Sequence, residues 1–399
     1  MTLDIIAAPE PLVPGQQCDA DRSLADLLYH TELSTKAGTS HLPKKYMGLS
    51  DKQTDRMIRR AREKLGDRLV ILGHHYQRDE IIKYVDYRGD SFKLARQAQA
   101  RPEAEYIVFC GVHFMAESAD VLSAPHQKVV LPNMSAGCSM ADMAGTEDVL
   151  GCWDDLMGID GVRDAVTPVT YMNSTAALKA FCGANGGVVC TSSNAQAVVQ
   201  WALDQRRKVL FFPDQHLGRN TAIQMGYALD DTVVWDPFQP LGGNTEEELR
   251  NATFILWKGH CSVHKRFTVQ QVEDARKRFP EVNILVHPEC EMEVVQIAEH
   301  VGSTEYIINK VKEGAPGSQW AIGTEINLVN RLAREEPDKV VFCLDPVICP
   351  CSTMYRIHPA YLAWVLEELV QGRIENQVSV HEEVARLARV ALERMLATT

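Results

Sequence analysis

From Asp51 onward the chain alternates short apolar runs with longer stretches in which apolar residues recur every three or four positions. The runs RLVILGHH, EYIVFCGV, KVVLPN, VTPVTYMN, GGVVCTSS, KVLFFPD, ATFILWKG, NILVHPE, QWAIGTE and KVVFCLDP each end in a polar or glycine-containing loop. Continuous apolar runs suit strands covered on both faces, so the pattern predicts an α/β fold with parallel sheets. The first 50 residues are rich in Pro, Gly and Ser apart from an amphipathic stretch at Leu24–Tyr29, and predict an extension with one helix.

The strand pattern repeats three times. A first set, LVILGHHY, IVFCGVHF and KVVLPN, leads to Cys138-Ser139. A second, VTYMN, VVCTSSN, KVLFFPDQH and ATFILWKGH, leads to Cys261-Ser262, and a third, ILVHPE, VGSTEY, QWAIGTE and KVVFCLDP, leads to Cys351-Ser352. Spacing supports the register: His74 to Ser91 and His287 to Thr304 are both 17 positions, and His74 to Cys138 and His287 to Cys351 are both 64. Tyr171 to Cys261 is 90, and the surplus falls largely in an insertion between Arg219 and Arg250. A period near 100 residues predicts three tandem homologous αβα domains rather than a short-repeat solenoid; if they are arranged around a pseudo-threefold axis, their strand ends converge on a central active site. The expected boundaries are an extension over 1–50, repeats over 51–143, 144–266 and 267–357, and C-terminal helices over 358–399.

Composition narrows the function classes. With 41 Lys+Arg against 53 Asp+Glu the net charge is −12, which disfavours coating a phosphate backbone, so nucleic acid is not an expected partner. No apolar run nears the ~20 residues that span a bilayer, so no membrane is expected either. The opening MTLDIIAAPEPLVPG carries Asp4 and lacks a basic segment, so no secretion signal is expected. Eleven cysteines, an odd number scattered along a long chain, make a poor disulfide framework. Together these features predict a cytoplasmic protein.

Ligands of open α/β sheets bind beyond the carboxyl ends of the strands. Those ends carry His74, His75 and Tyr76 in the first repeat, Tyr171 and Asn173 in the second, and His287 and Glu289 in the third. Ser91, Ser192 and Thr304 stand just before helical patterns, where Ser and Thr cap orphan amides. Three helix N-termini around one cavity would favour a small polyanion. Cys110, Cys190 and Cys343 lie inside apolar strands and read as buried hydrophobes. Cys138, Cys261 and Cys351 instead follow a strand and a loop and precede Ser, as metal ligands would. Cys349-Pro350-Cys351 is the only close pair and is too tight for the usual zinc spacing. Three thiolates can instead hold a cubane iron–sulfur cluster with one iron open as a Lewis acid.

The stretches GHHYQRDEI, CGVHFMAESADVLSAP, AGCSM, YMNSTAALKA, CTSSNA, FPDQHLGR, GHCSVH, VHPE, VGST and CSTM, spread from Leu69 to Met354, closely resemble the quinolinate synthase family. The resemblance implies a transferase of NAD biosynthesis that condenses iminoaspartate with dihydroxyacetone phosphate to quinolinate, releasing phosphate and water. It further implies a [4Fe-4S] cluster on Cys138, Cys261 and Cys351, one cysteine per domain, and functional coupling to L-aspartate oxidase. Carried over by position, Tyr76 and Glu289 transfer protons, His74 and His287 bind substrate oxygen or phosphate, and Tyr171 and Asn173 orient carboxylates. Ser91, Ser192 and Thr304 complete the substrate site, and His75 is assigned no role. Cys351 is preferred over Cys349 because it keeps the Cys-Ser pairing and the 64-residue offset. Cys18, Cys152, Cys182 and Cys290 are expected to be unligated. Two other readings remain: a zinc-dependent lyase or aldolase using His74, His75 and His287, and a non-enzymatic iron–sulfur sensor.

Overall fold

A computed structural model describes residues 24, 26–28, 31, 32, 38, 40–347 and 350–398. Of the expected N-terminal helix, residues 24 and 26–28 are described and are helical, whereas Tyr29 lies outside the described residues, as do Cys18 and Cys349.

Three sheets carry the fold. The first contains β1 (Leu69–His74), β2 (Tyr87–Gly89), β3 (Tyr106–Cys110) and β4 (Lys128–Val130). The second contains β5 (Val166–Tyr171), β6 (Val188–Cys190), β7 (Lys208–Phe212), β8 (Thr232–Trp235) and β9 (Phe254–Trp257). The third contains β10 (Asn283–Val286), β11 (His300–Val301), β12 (Gln319–Gly323) and β13 (Val340–Cys343). The strand orders are β4-β3-β1-β2, β9-β7-β5-β6 and β13-β12-β10-β11, one topology built three times from parallel pairs. Two edges are extended. β8 lies in the Arg219–Arg250 insertion and pairs with β9, and β14 (Gln377–Val378) pairs antiparallel with β4.

β1, β3, β5 and β7 are buried along their whole length, as continuous Val, Ile, Leu and Phe runs require when helices cover both faces. Two short edge strands depart from the sequence pattern. β2 is only Tyr-Arg-Gly, with one neighbour and no apolar run to betray it. In the third repeat only Val301 of VGSTEY belongs to a strand, β11, because Ser303 caps a helix that begins at Thr304. The C-terminal helices are Pro359–Val370 and Glu382–Ala397, and the latter packs against the helix Ala176–Ala184.

Hydrogen bonds between repeats gather at the strand ends. Arg331 donates to the carbonyls of His75 and Gln77 and to Asp79, Gln77 donates to the Met354 carbonyl, and Ser193 to Asp90. Asn220 donates at 2.8 Å to the carbonyls of Pro288 and Cys290, bracing the backbone on both sides of Glu289. These bonds fix the three carboxyl edges relative to one another.

Candidate active site

The carboxyl ends of the three sheets open onto one cavity, in which about 80 Å³ is open to the centre of a water molecule. Every residue assigned to the substrate site or the cluster from the sequence lines it: His74, Tyr76, Ser91, Cys138, Tyr171, Asn173, Ser192, Cys261, His287, Glu289, Thr304 and Cys351. His75 does not. Its Nε2 turns away to Glu305 at 2.8 Å, so the trio His74, His75 and His287 is not assembled as a metal site.

The first and third repeats use one local device twice. After β1 the chain turns so that the Tyr76 backbone N–H donates to His74 Nδ1 at 3.1 Å, and after β10 the Glu289 N–H donates to His287 Nδ1 at 3.4 Å. A backbone N–H can only donate, so both Nδ1 atoms accept and a neutral ring carries its proton on Nε2. Burial, then the neighbouring His75 and His287, push His74 down to about 3. Burial, then His264, push His287 down to about 3. Both are neutral imidazoles with an Nε2–H to offer at neutral pH.

Glu289, 3% exposed, centres a chain of hydrogen bonds. Its Oε1 accepts from the Tyr171 hydroxyl at 2.6 Å, and its Oε2 lies 2.7 Å from His264 Nδ1. The Nε2 of His264 is 3.1 Å from Thr324 Oγ1 and 3.4 Å from the Tyr76 hydroxyl, and that hydroxyl is 2.8 Å from Thr324 Oγ1. His264 stacks on His287 with centroids 4.3 Å apart. Burial opposes ionisation of Glu289, yet His264 and His287, with the bonds from His264 and Tyr171, outweigh it and hold the carboxyl well below the usual range. Burial, then the Glu289 charge, raise Tyr76 and Tyr171 well above an ordinary phenol. The arrangement is a buried carboxylate with two protonated phenols linked to it, one directly and one through an imidazole.

The helix starts correct one expectation. Ser91 and Thr304 do not cap their helices. Asp90 accepts from Lys93 N and Ser303 from Tyr306 N, while Asn194, two residues beyond Ser192, holds the N-cap position of the third helix without a capping bond. The adjacent caps leave the predicted residues free to face the cavity, and Thr304 Oγ1 is buried without a partner. Such a hydroxyl is poised for a ligand oxygen, because leaving it unpaired is costly.

Cys138, Cys261 and Cys351 bring one thiol from each repeat. All are free; burial raises Cys138 to about 12, and Cys261 and Cys351 also lie above an ordinary thiol. A Cys261 sulfur, a His264 nitrogen and a Glu289 oxygen also lie within 4.8 Å of one another. Three residues escaped the sequence reading. His264 and Thr324 complete the hydrogen-bond chain, and Glu325 accepts from the Cys351 backbone N–H at 3.2 Å, holding the third thiol's loop. A Cys-x-x-His spacing in GHCSVH was the available signal for His264.

Comparison with known proteins gives the family of the chain. Residues 56–397 match the profile of the family described as Quinolinate synthetase A protein. A quinolinate synthase of Corynebacterium glutamicum is 61% identical over 355 residues, covering 89% of this chain and 90% of the relative. One of Streptomyces coelicolor is 58% identical over 351 residues (87% and 89%), and one of a Nocardioides species is 54% identical over 385 (95% and 97%). With three copies of one sheet topology meeting at a cysteine-lined cavity, and a match across nearly the whole described chain, the protein belongs to the quinolinate synthetase A family.

Proposed function

We propose that the chain is a quinolinate synthase, a cytoplasmic transferase that joins iminoaspartate to dihydroxyacetone phosphate and releases quinolinate, one phosphate and two waters. The observation that carries this reading is the convergence, in one cavity, of three unpaired thiols from three repeats with a buried Tyr171–Glu289–His264–Tyr76 chain. Among the described residues no helix is long and apolar enough to cross a membrane, and nine of the eleven cysteines are described and none of them is paired. Iminoaspartate arises by oxidation of aspartate and hydrolyses readily, which favours coupling to L-aspartate oxidase.

The thiols fit a [4Fe-4S] cluster. Three soft donors sit together with raised proton affinity, a state that a cation relieves by drawing off the protons, and among the described residues no fourth cysteine lines the cavity. When bound, such a cluster supplies Lewis-acid polarisation of a substrate oxygen and assists loss of water.

The remaining work falls to side chains. The Nε2–H groups of His74 and His287 donate to carboxylate or phosphate oxygens, and Ser91, Ser192, Asn173 and Thr304 satisfy the others. Tyr171 keeps its proton and donates across 2.6 Å to the ionised Glu289, so the pair offers a phenolic donor and a carboxylate acceptor to the leaving hydroxyl and the reacting carbon. His264 returns the proton toward Thr324 and Tyr76. Two dehydrations and a ring closure demand repeated proton movement, and this chain supplies donors and acceptors without bulk water.

The close Cys261–His264–Glu289 group favours a second reading, a single divalent metal in a lyase site. Anaerobic purification separates the two: about four iron and four sulfide per chain with quinolinate formed supports the synthase, whereas zinc alone with no quinolinate supports the lyase. Cys351→Ser should abolish the iron signal and Cys349→Ser should largely keep it. The reverse pattern would move the third ligand to Cys349.

A further inference from the structure

Beside the cavity lies a second recess of about 420 Å³, walled by Ser192–Ala197, Leu217, Thr221, Gln224, Pro288 and Val301–Ser303 with Tyr306. The two spaces share three chain segments. Glu289 and Thr304 line the cavity, Ser193, Asn194, Pro288 and Ser303 line the recess, and Ser192 lines both.

Asn194 gives the recess its chemistry. It is 8% exposed, and its Oδ1 accepts from the Thr191 backbone N–H at 2.8 Å and the Thr191 hydroxyl at 3.0 Å. Because the backbone N–H must donate, the amide cannot be flipped, and the NH₂ end of this recess-lining side chain is the end not held by Thr191. That Nδ2 is buried and has no partner. The helix Ala195–Gln205 starts here with no side chain capping it, so its first amides are also free to donate. The helix Thr304–Glu313 starts on the opposite wall. No Asp, Glu, Lys or Arg is among the lining residues, and the nearby Asp90 is already engaged by Ser193 and Lys93 N.

Two helix N-termini, an unspent amide NH₂ and no competing carboxylate in the lining form an environment for a small oxyanion. We propose that this recess is an outer phosphate-binding site, distinct from the cavity and adjoining it at Ser192, where a free or esterified phosphate group docks on its way in or out. In a chain of net charge −12, such a site offers dianions a staging point built from backbone dipoles. The proposal concerns binding alone, so it stands or falls independently of whether the protein makes quinolinate.

Tungstate, a heavy tetrahedral dianion, soaked into crystals of the full-length holoprotein should give an anomalous peak about 4 Å from Asn194 Nδ2, the separation of a central metal whose oxygen accepts from that nitrogen. Both inorganic phosphate and dihydroxyacetone phosphate should displace it. Displacement by only one of them identifies the source of the group, and displacement by neither, or a peak confined to the inner cavity, overturns the site. In solution, Asn194→Asp keeps the acceptor for Thr191 but replaces the donor with charge, and should weaken phosphate binding at this site about tenfold by ³¹P NMR titration. Ala197→Lys, at an exposed position on the recess wall, should strengthen it. Unchanged phosphate affinity in both folded variants contradicts the proposal.

Discussion

Glu289 divides its two oxygens between Tyr171 and His264, and that division decides what can be tested residue by residue. Glu289→Gln preserves shape and one hydrogen-bonding oxygen but removes the charge that receives protons. It should retain the iron content and absorption of the parent protein while turnover falls by roughly 10²–10⁴-fold; near-normal activity would remove Glu289 from proton transfer. His264→Asn should lower kcat by roughly 10²-fold with iron content unchanged, because the link from Glu289 toward Tyr76 is cut. Loss of iron in that variant would assign His264 to the metal instead. The sequence showed the thiols because Cys138, Cys261 and Cys351 share a register. It hid His264 because the third position after each cysteine is Ala141, His264 and Met354, so the repeats give no cue to a residue unique to one of them. Capping was ambiguous for a different reason. Asp90-Ser91 and Ser303-Thr304 each offer two adjacent residues able to cap, and only the backbone torsions choose between them.

Among elements, the central strands were legible because burial on both faces forces uninterrupted apolar runs, whereas β2 and β11 are short edges that need none. β8 was hidden in the insertion, where its Thr-Val-Val-Trp segment is only partly buried. The most demanding helix contact lies between Ala176–Ala184 and Glu382–Ala397. At Gly183 an added Cβ would sit 2.0 Å from the Leu387 carbonyl oxygen, a backbone atom that cannot swing aside. Gly183→Ala should therefore force the helices apart and cost roughly 1–3 kcal/mol in denaturant unfolding. A variant as stable as the parent would show that the C-terminal helix does not lock onto the second repeat. Asn220 makes the complementary case, since its two bonds to Pro288 and Cys290 orient the segment that carries Glu289.

For the whole molecule, three copies of one topology place three sets of strand ends around a single cavity, which no one repeat could enclose. Burying neutral histidines there ties stability to pH. An unfolded histidine takes up a proton below about 6.5, whereas folded His74 and His287 resist until about 3. Stability is thus full above pH 6.5 and is lost progressively as pH falls toward 3, by roughly 2 kcal/mol per histidine at pH 5. Denaturant midpoints that do not drop between pH 7 and pH 5 would contradict neutral imidazoles in the fold. In the proposed site, helix starts and imidazole N–H groups rather than surface lysines would supply the donors for dianionic substrates in a chain of net charge −12. The most direct measurement of the central claim is anaerobic turnover of the iron-loaded protein with iminoaspartate and dihydroxyacetone phosphate, quantifying quinolinate and inorganic phosphate together. Equal amounts of the two, absent when either substrate is omitted, are the predicted result; an intact cluster with phosphate released and no quinolinate, or with neither product, would contradict it.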